Sequence, residues 1–405
     1  METHQSSKEG SALGAILLIA GCCIGAGMLG LPVMSALGGF KPSLCMFFLS
    51  WLYMTTTALL LLEVNLSFSH EVSIISMADK TLGIAGKAVA WLCYAFLFYA
   101  LGVAYIAGSG ELLADFILST AGAEIPNWVG SLFVSLLFGM FVYLGTHAVD
   151  RFNRLLMLGL VVTYLLLVGL GIPHVNHEHL NYHNWSLAPL MLPVMIISFG
   201  FHNMIPSLTT YLKGNISKLK LAVIGGSLAA LIIYLVWEYV ILGLVPVAGQ
   251  ESIFKEIDHN NMATEVLSNA VGAAWVTRVA QYFAFFAIVT SFLGNSLSFV
   301  DFLADGFRIK KTAMSKFWLC LLVIAPSFAL ALIYPKIFLV ALNYAGGFGA
   351  VILFGILPVL MVWSGRYKKK EAFKPLVPGG KWPLIGVLLF SVWVMIVQIR
   401  SQLGG

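Results

Sequence analysis

Two short runs place conformationally loose or polar residues deep inside apolar segments. The first is Gly21-Cys22-Cys23-Ile24-Gly25-Ala26-Gly27-Met28-Leu29-Gly30-Leu31-Pro32, within a stretch that carries no charge from Ser11 to Phe40. A glycine inside a helix costs about 1 kcal/mol relative to alanine, so this density of glycine favours a break near Gly25 to Gly27. The second run is Ser198-Phe199-Gly200-Phe201-His202-Asn203, followed by Pro206. In a bilayer, backbone freed by such breaks must be satisfied by neighbours or by a bound molecule. A half-helix N-terminus carries partial positive charge and suits a carboxylate, while freed carbonyls suit an ammonium or a cation. A free amino acid has both ends. The expected cradle is Ile24, Gly25, Ala26, Gly27 and Met28 from the first run, with Ser198, Phe199, Gly200 and Phe201 from the second.

Two plainer readings of the first run compete. Gly21 and Gly25 form a G-x-x-x-G, which serves close helix packing. Gly25-x-Gly27-x-x-Gly30 also matches a dinucleotide fingerprint, but that fingerprint needs a strand before it and a soluble βαβ setting. A membrane-length apolar run excludes it. No zinc-protease or nucleophile-elbow motif occurs, which argues against a membrane enzyme.

The elements that must position these runs follow from composition. The chain has 405 residues, 60% of them hydrophobic and 10% charged, where a soluble domain carries about 25% charged residues. Most of it therefore lies in lipid, as one integral membrane domain over 1–405. The net charge of +5 is explained by its distribution in the connections rather than by nucleic acid. Eleven spans of bilayer length are expected at about 12–36, 42–67, 86–114, 128–146, 153–172, 188–211, 221–246, 273–302, 316–334, 337–363 and 382–400. With the N-terminus in the cytoplasm, 18 of the Lys and Arg residues fall on the cytoplasmic side and 5 on the other. This bias supports the count and places the C-terminus in the periplasm. The five cysteines fall in apolar segments and are expected to be reduced packing residues.

Among the connections, 66–85 is expected to hold a short interfacial helix. The 173–187 connection carries His174, His177, His179 and His183 at no standard zinc spacing, and reads as an outward, solvated, pH-sensitive loop. The 247–272 connection reads as an external amphipathic cap. Arg366 to Lys381 reads as a basic linker near anionic lipid.

Five spans precede the second broken run, so spans six to ten must be inverted relative to spans one to five. The fold class is thus an all-α polytopic membrane protein. It has a 5+5 inverted repeat (about 12–172 and 188–363), broken first and sixth helices, and an extra helix at about 382–400. Paired breaks in inverted halves point to a midplane binding site.

Gly25-Ala26-Gly27-Met28-Leu29 with Leu31-Pro32 resembles the first-helix motif of the hydroxy/aromatic amino acid permeases. Ser198 to His202 with Pro206, and Gly214-Asn215-Ile216-x-Lys218-Leu219, resemble their sixth-helix signature. Tyr99-Ala100-Leu101, Ala104-Tyr105-Ile106, Gly108 and Gly110-Glu111-Leu112-Leu113 are similar to the third helix of tyrosine-specific members. Thr290 to Gly294 with Leu303-Ala304-Asp305 resembles their eighth. The resemblance implies a bacterial inner-membrane permease of the amino acid–polyamine–organocation fold, with no cofactor. It would import an aromatic L-amino acid, tyrosine ahead of tryptophan or phenylalanine, with a proton, or with sodium as the alternative.

In that frame His202 binds substrate, carries the proton or bonds across the break. Asn203 meets a phenolic hydroxyl, and Tyr99 and Tyr105 close over the ring. Ser291 and Asn295, four apart on one helical face, complete a cation or water site near the first helix. Tyr344, Gly346, Gly347 and Phe348 form an outer gate or a close-packed seam. The ionisable candidates for coupling are Glu63, Glu111, His202, Glu238, Asp301 and Asp305, with Glu63 and Asp301 alternatively marking helix ends. Some proton-coupled relatives in the wider superfamily use a lysine in the fifth helix. Here Leu155 to Ile172 contains no charged residue.

Overall fold

The computed structural model describes residues 9–68, 72–246, 274–334, 337–368 and 375–403. The expected cap at 247–272 lies outside the described residues. Among the described residues, ten helices are long and apolar enough to cross a bilayer, and the bent pair Ala12–Cys23 and Gly27–Ala36 makes eleven when counted as one span. We label the helices α1 (Ala12–Cys23), α2 (Gly27–Ala36), α3 (Phe40–Leu66), α4 (Ile74–Ala121), α5 (Asn127–Leu144) and α6 (Thr146–Gly171). There follow α7 (Leu192–Ser198), α8 (Ile205–Tyr211), α9 (Ile216–Leu244), α10 (Ala274–Gly306) and α11 (Ala313–Ile333). The last two are α12 (Phe338–Lys368) and α13 (Trp382–Leu403).

Helix ends differ from hydropathy where polar turns extend a helix beyond its apolar stretch. The span expected from 153 begins at Thr146, and Asp150 and Arg154, one turn apart, pair at 2.7 Å along the added turns. The span expected at 86–114 belongs to α4, which starts at Ile74 and is interrupted at Gly83, whose φ of 75° is open to glycine. The short helix expected in 66–85 is therefore the first two turns of α4, set off by that kink. Side chains also cap the starts: Ser11 accepts from Gly14 N at 3.0 Å, and Asn215 from Lys218 N at 3.2 Å.

The helices pack in two groups. In one, α4 lies against α5, α10 and α11, and α6 against α10 and α5. In the other, α9 holds α1, α2 and α3, and α3 holds α7 and α8. Between them α12 touches α3, α4, α7 and the peripheral α13. Its middle, Ala345–Ile356, is wound as a π-helix, a wide form that is rare in long runs.

One connection needs correction. Arg366 is not part of a solvated basic linker. It is buried at the end of α12, where Nε and Nη2 donate to Glu63 at 2.6 and 2.5 Å. Glu63 also accepts from Leu376 N at 2.9 Å, which pins the strand of chain leading to α13. An arginine at a bilayer boundary that meets a buried carboxylate forms a paired, bidentate bridge in preference to facing lipid headgroups.

Candidate substrate site at the two interrupted spans

The first span breaks where the glycines are. Helix α1 stops at Cys23, Ile24 is extended (φ −78°, ψ 101°), and α2 restarts at Gly27 with a bend of 59°. Two glycines are required by close approach. A methyl group on Gly25 would sit 2.5 Å from Ser291 Oγ, and one on Gly27 would sit 2.7 Å from Ser198 Oγ. The break is therefore wedged between α10 and α7. Ser291 Oγ accepts from Ala26 N at 2.9 Å, satisfying one donor that the helix has lost.

The second span is interrupted from Phe199, resumes through a 3₁₀ turn at His202–Met204 and enters α8 at Ile205. Unlike the first, it keeps its course, and Ala188–Tyr211 runs as one span. Proline at the start of α8 and glycine at 200 explain the break. Ser198 Oγ turns back to Val194 O at 2.8 Å.

Both breaks meet on α9. The hydroxyl of Tyr234 lies 2.5 Å from Cys23 O and 2.7 Å from Ser198 O, sharing one proton between a carbonyl of each interrupted span. Three residues further, Trp237 Nε1 donates to Met28 O at 3.1 Å. Neither residue stood out in the sequence. The available signal was spacing: Ser227, Tyr234 and Glu238 lie seven and four apart on one face of a mostly apolar helix.

The walls are unevenly closed. Gly25, Ala26, Met28, Ser198, Phe199 and Phe201 are buried, whereas Ile24, Gly27 and Gly200 are half-buried and Cys22 and Asn203 are exposed. Every residue of α2 from Met28 to Ala36 is buried, as is nearly all of α7. The half of the bundle holding α2 and α7 is thus sealed, and the exposed residues beside the breaks, Cys22 and Asn203, lie on the side of α1 and α8.

Other expected residues divide. Tyr105 is buried beside the break, close to Cys22 and Ser291. Tyr99 turns instead toward α11, its hydroxyl donating to Leu322 O at 2.9 Å. Asn203 Oδ1 is occupied, accepting from Tyr94 Oη at 3.0 Å, so a protein tyrosine stands where a phenolic substrate was expected. Asn295 does not share Ser291's partner, because its amide donates to Phe98 O at 3.1 Å.

His202 is fully buried, with its ring stacked on Phe354 at 4.7 Å and 12°. Thr57 Oγ1 gives its proton to Met54 O and lies 2.9 Å from His202 Nε2. Nε2–H is then the donor and Nδ1 the acceptor, which has no partner among the described residues. The ring is thus wedged between Thr57 of α3 and Phe354 of α12. Glu63 and Asp301 are held in ion pairs, Glu63 with Arg366 and Asp301 with Lys311 at 2.9 Å. Glu111 is buried on α4.

The tenth-span glycines pack closely. A side chain on Gly346 would strike Pro193 O of α7, and one on Gly347 would strike Gln398 of α13. The rings of Tyr344 and Phe348 lie 5.9 Å apart, tilted by 35°. In the 173–187 connection, His174, His179 and His183 each bond a backbone carbonyl through Nδ1, at 3.0, 3.0 and 2.9 Å.

Comparison with known proteins agrees with this architecture. The profile of the tryptophan/tyrosine permease family matches residues 8–398. Tyrosine-specific transport system 1 of Haemophilus influenzae is 32% identical, with 97% of each chain covered. The tryptophan-specific transport protein of the same organism is 31% identical over 98% of this chain and 97% of its own. The tryptophan-specific transport protein of Pseudomonas aeruginosa is 30% identical over 98% and 96%. All are transporters rather than enzymes, and the chain belongs to the tryptophan/tyrosine permease family.

Proposed function

We propose that the chain imports an aromatic amino acid, tyrosine ahead of tryptophan and phenylalanine, by proton symport with alternating access. The observation that carries the reading is the meeting of two interrupted spans at Tyr234, with the exposed Cys22 and Asn203 beside the breaks. The partial positive charge at the start of α2 would favour the carboxylate, and the second lone pairs of the Cys23 and Ser198 carbonyls, each already accepting from Tyr234, the ammonium. Tyr105 and the rings of the second break would flank the aromatic side chain. The relatives named for tyrosine and for tryptophan are similarly close, so choice among the aromatics rests on experiment.

The same reading treats 1–405 as one domain, with a repeat of about 12–172 inverted against about 188–363. It sits in the bacterial inner membrane with the N-terminus in the cytoplasm, supported by the 18-to-5 bias of Lys and Arg. In this orientation the sealed α2/α7 half faces the periplasm, and the state is inward-facing.

The test is uptake of labelled tyrosine into proteoliposomes under an imposed proton or sodium gradient, with unlabelled competitors. Proton-driven accumulation blocked by tyrosine alone supports the full reading. Sodium-driven accumulation overturns the coupling, and equal competition by tryptophan and phenylalanine overturns the preference.

A further inference from the structure

Glu238 is fully buried on α9, and neither carboxyl oxygen has a hydrogen-bond partner among the described residues. Ser35 on α2, itself fully buried, faces it, with the hydroxyl outside ordinary hydrogen-bond geometry to the carboxyl. Among the described residues no cationic side chain of the other elements packed here is set against it, and Lys41 of α3, beside Phe40, is exposed. Helix α1 brings Cys23, α6 brings the ring of Tyr164 against Trp237, and α3 brings Phe40 and Phe47 against Tyr239 and Tyr234. The 172–191 connection brings His177 beside Tyr239, and His179 bonded to Gly243 O. None of these groups forms an ion pair or hydrogen bond with Glu238 among the described residues.

A carboxylate cannot stay ionised in such a place, because nothing replaces the water it has lost. In this sealed state Glu238 is therefore a neutral acid. Its placement makes that neutrality consequential. It lies one helical turn beyond Tyr234, which clamps both interrupted spans, and next to Trp237, which holds the first turn of α2. It thus sits on the seam between α9 and the half-helix α2. When the α2/α7 half opens, that seam is the part that must admit water.

We propose that Glu238 is the residue that carries the coupled proton, an assignment that rests on the proton-symport reading above. With the α2–α9 seam open to water, the Glu238 carboxylate takes a proton from hydronium and becomes neutral. Only the neutral form allows α2 to close on α9, and the proton returns to water when Glu238 is next hydrated. Proton binding and closure of one half of the site are then the same event. A buried glutamate with no partner, which would be a defect in a static membrane bundle, becomes the coupling element.

Glu238→Gln mimics the neutral acid permanently. In proteoliposomes, E238Q is expected to lose about tenfold or more of proton-driven tyrosine accumulation while tyrosine–tyrosine exchange stays measurable. Accumulation in E238Q equal to that of the unaltered protein overturns the assignment and leaves the symport reading intact. Exchange without proton-driven accumulation in the unaltered protein overturns the symport reading itself, and the assignment with it. Should E238Q not be recovered folded, E238D carries the test. It retains the acid at a different depth, so the pH of half-maximal uptake must shift, and an unshifted profile overturns the assignment.

Discussion

The hydroxyl of Tyr234 donates toward the carbonyl of Cys23 at 2.5 Å, at the last residue of the first half-helix. The same proton is shared with Ser198 O, at the last residue of the other interrupted span. One phenol thus satisfies carbonyls that two helices have lost, and sets the spacing of the breaks. Tyr234→Phe keeps the ring and removes the clamp. A buried acceptor left bare costs about 1–3 kcal/mol, so Y234F is expected to lower thermal stability modestly. Uptake should fall much further, because the geometry of the cradle is lost. Unchanged uptake would show that the breaks hold their spacing without this bond.

The contact between Gly27 and Ser198 gives a paired test. Gly27→Ala puts a methyl group 2.7 Å from Ser198 Oγ, while its next neighbours are at 3.5 Å. G27A is expected to lose uptake, and G27A/S198A to regain part of it, because the second change removes the clashing atom. Folded yield and uptake of the single and double variants check this. No recovery in the double variant would mean that Gly27 is needed for its backbone freedom rather than for closeness.

The glycine run, the Ser-Gly-His-Asn run and the eleven spans were legible because they are departures from a simple background. Gly25, Gly27 and Pro206 weaken helices, and a polar residue in a long apolar run has few innocent reasons to be there. Tyr234 and Trp237 were not legible, because aromatic residues in apolar helices are ordinary and only the fold reveals which carbonyl their polar atoms reach. The same limit misplaced Tyr99, whose hydroxyl serves α11, and Asn295, whose amide serves α4. Arg366 looked like a linker charge because its partner, Glu63, lies three hundred residues earlier in the chain.

The Glu63–Arg366 bridge is buried, with side chains 0% and 7% exposed. Removing one partner of such a pair leaves an uncompensated charge and costs about 3–5 kcal/mol. R366M is expected to lower the melting temperature sharply, and E63Q/R366M to be more stable than R366M. Thermal unfolding in detergent checks both, and a double variant no better than the single one would show that Leu376 N, not the ion pair, sets the energy.

At the start of α1, Glu9 pairs with Lys218 at 2.9 Å and accepts from Asn215, while Gly10 N donates to Tyr211 O at 2.9 Å. The Lys218 ammonium holds the Glu9 carboxyl below its ordinary value of 4.5. A lowered carboxyl stabilises the latch above its ordinary value, and that contribution is lost as pH falls through the lowered one. Hydrogen exchange across residues 10–14 is expected to be slow at neutral pH after correction for intrinsic rates. It should quicken on acidification below the ordinary carboxyl range, and E9Q should show the faster behaviour at neutral pH. Equal protection in E9Q would leave the latch to the backbone bond alone.

The central claim, that the substrate lies at the junction of the two breaks, is tested most directly at Cys22, an exposed thiol one residue from the end of α1. In a variant whose other cysteines, Cys23, Cys45, Cys93 and Cys320, are replaced by alanine or serine, the measurement is the rate of maleimide labelling with and without tyrosine. The account predicts that tyrosine slows labelling, and that tyramine, which lacks the carboxylate, does so far less. A labelling rate indifferent to tyrosine at concentrations that saturate uptake would contradict it.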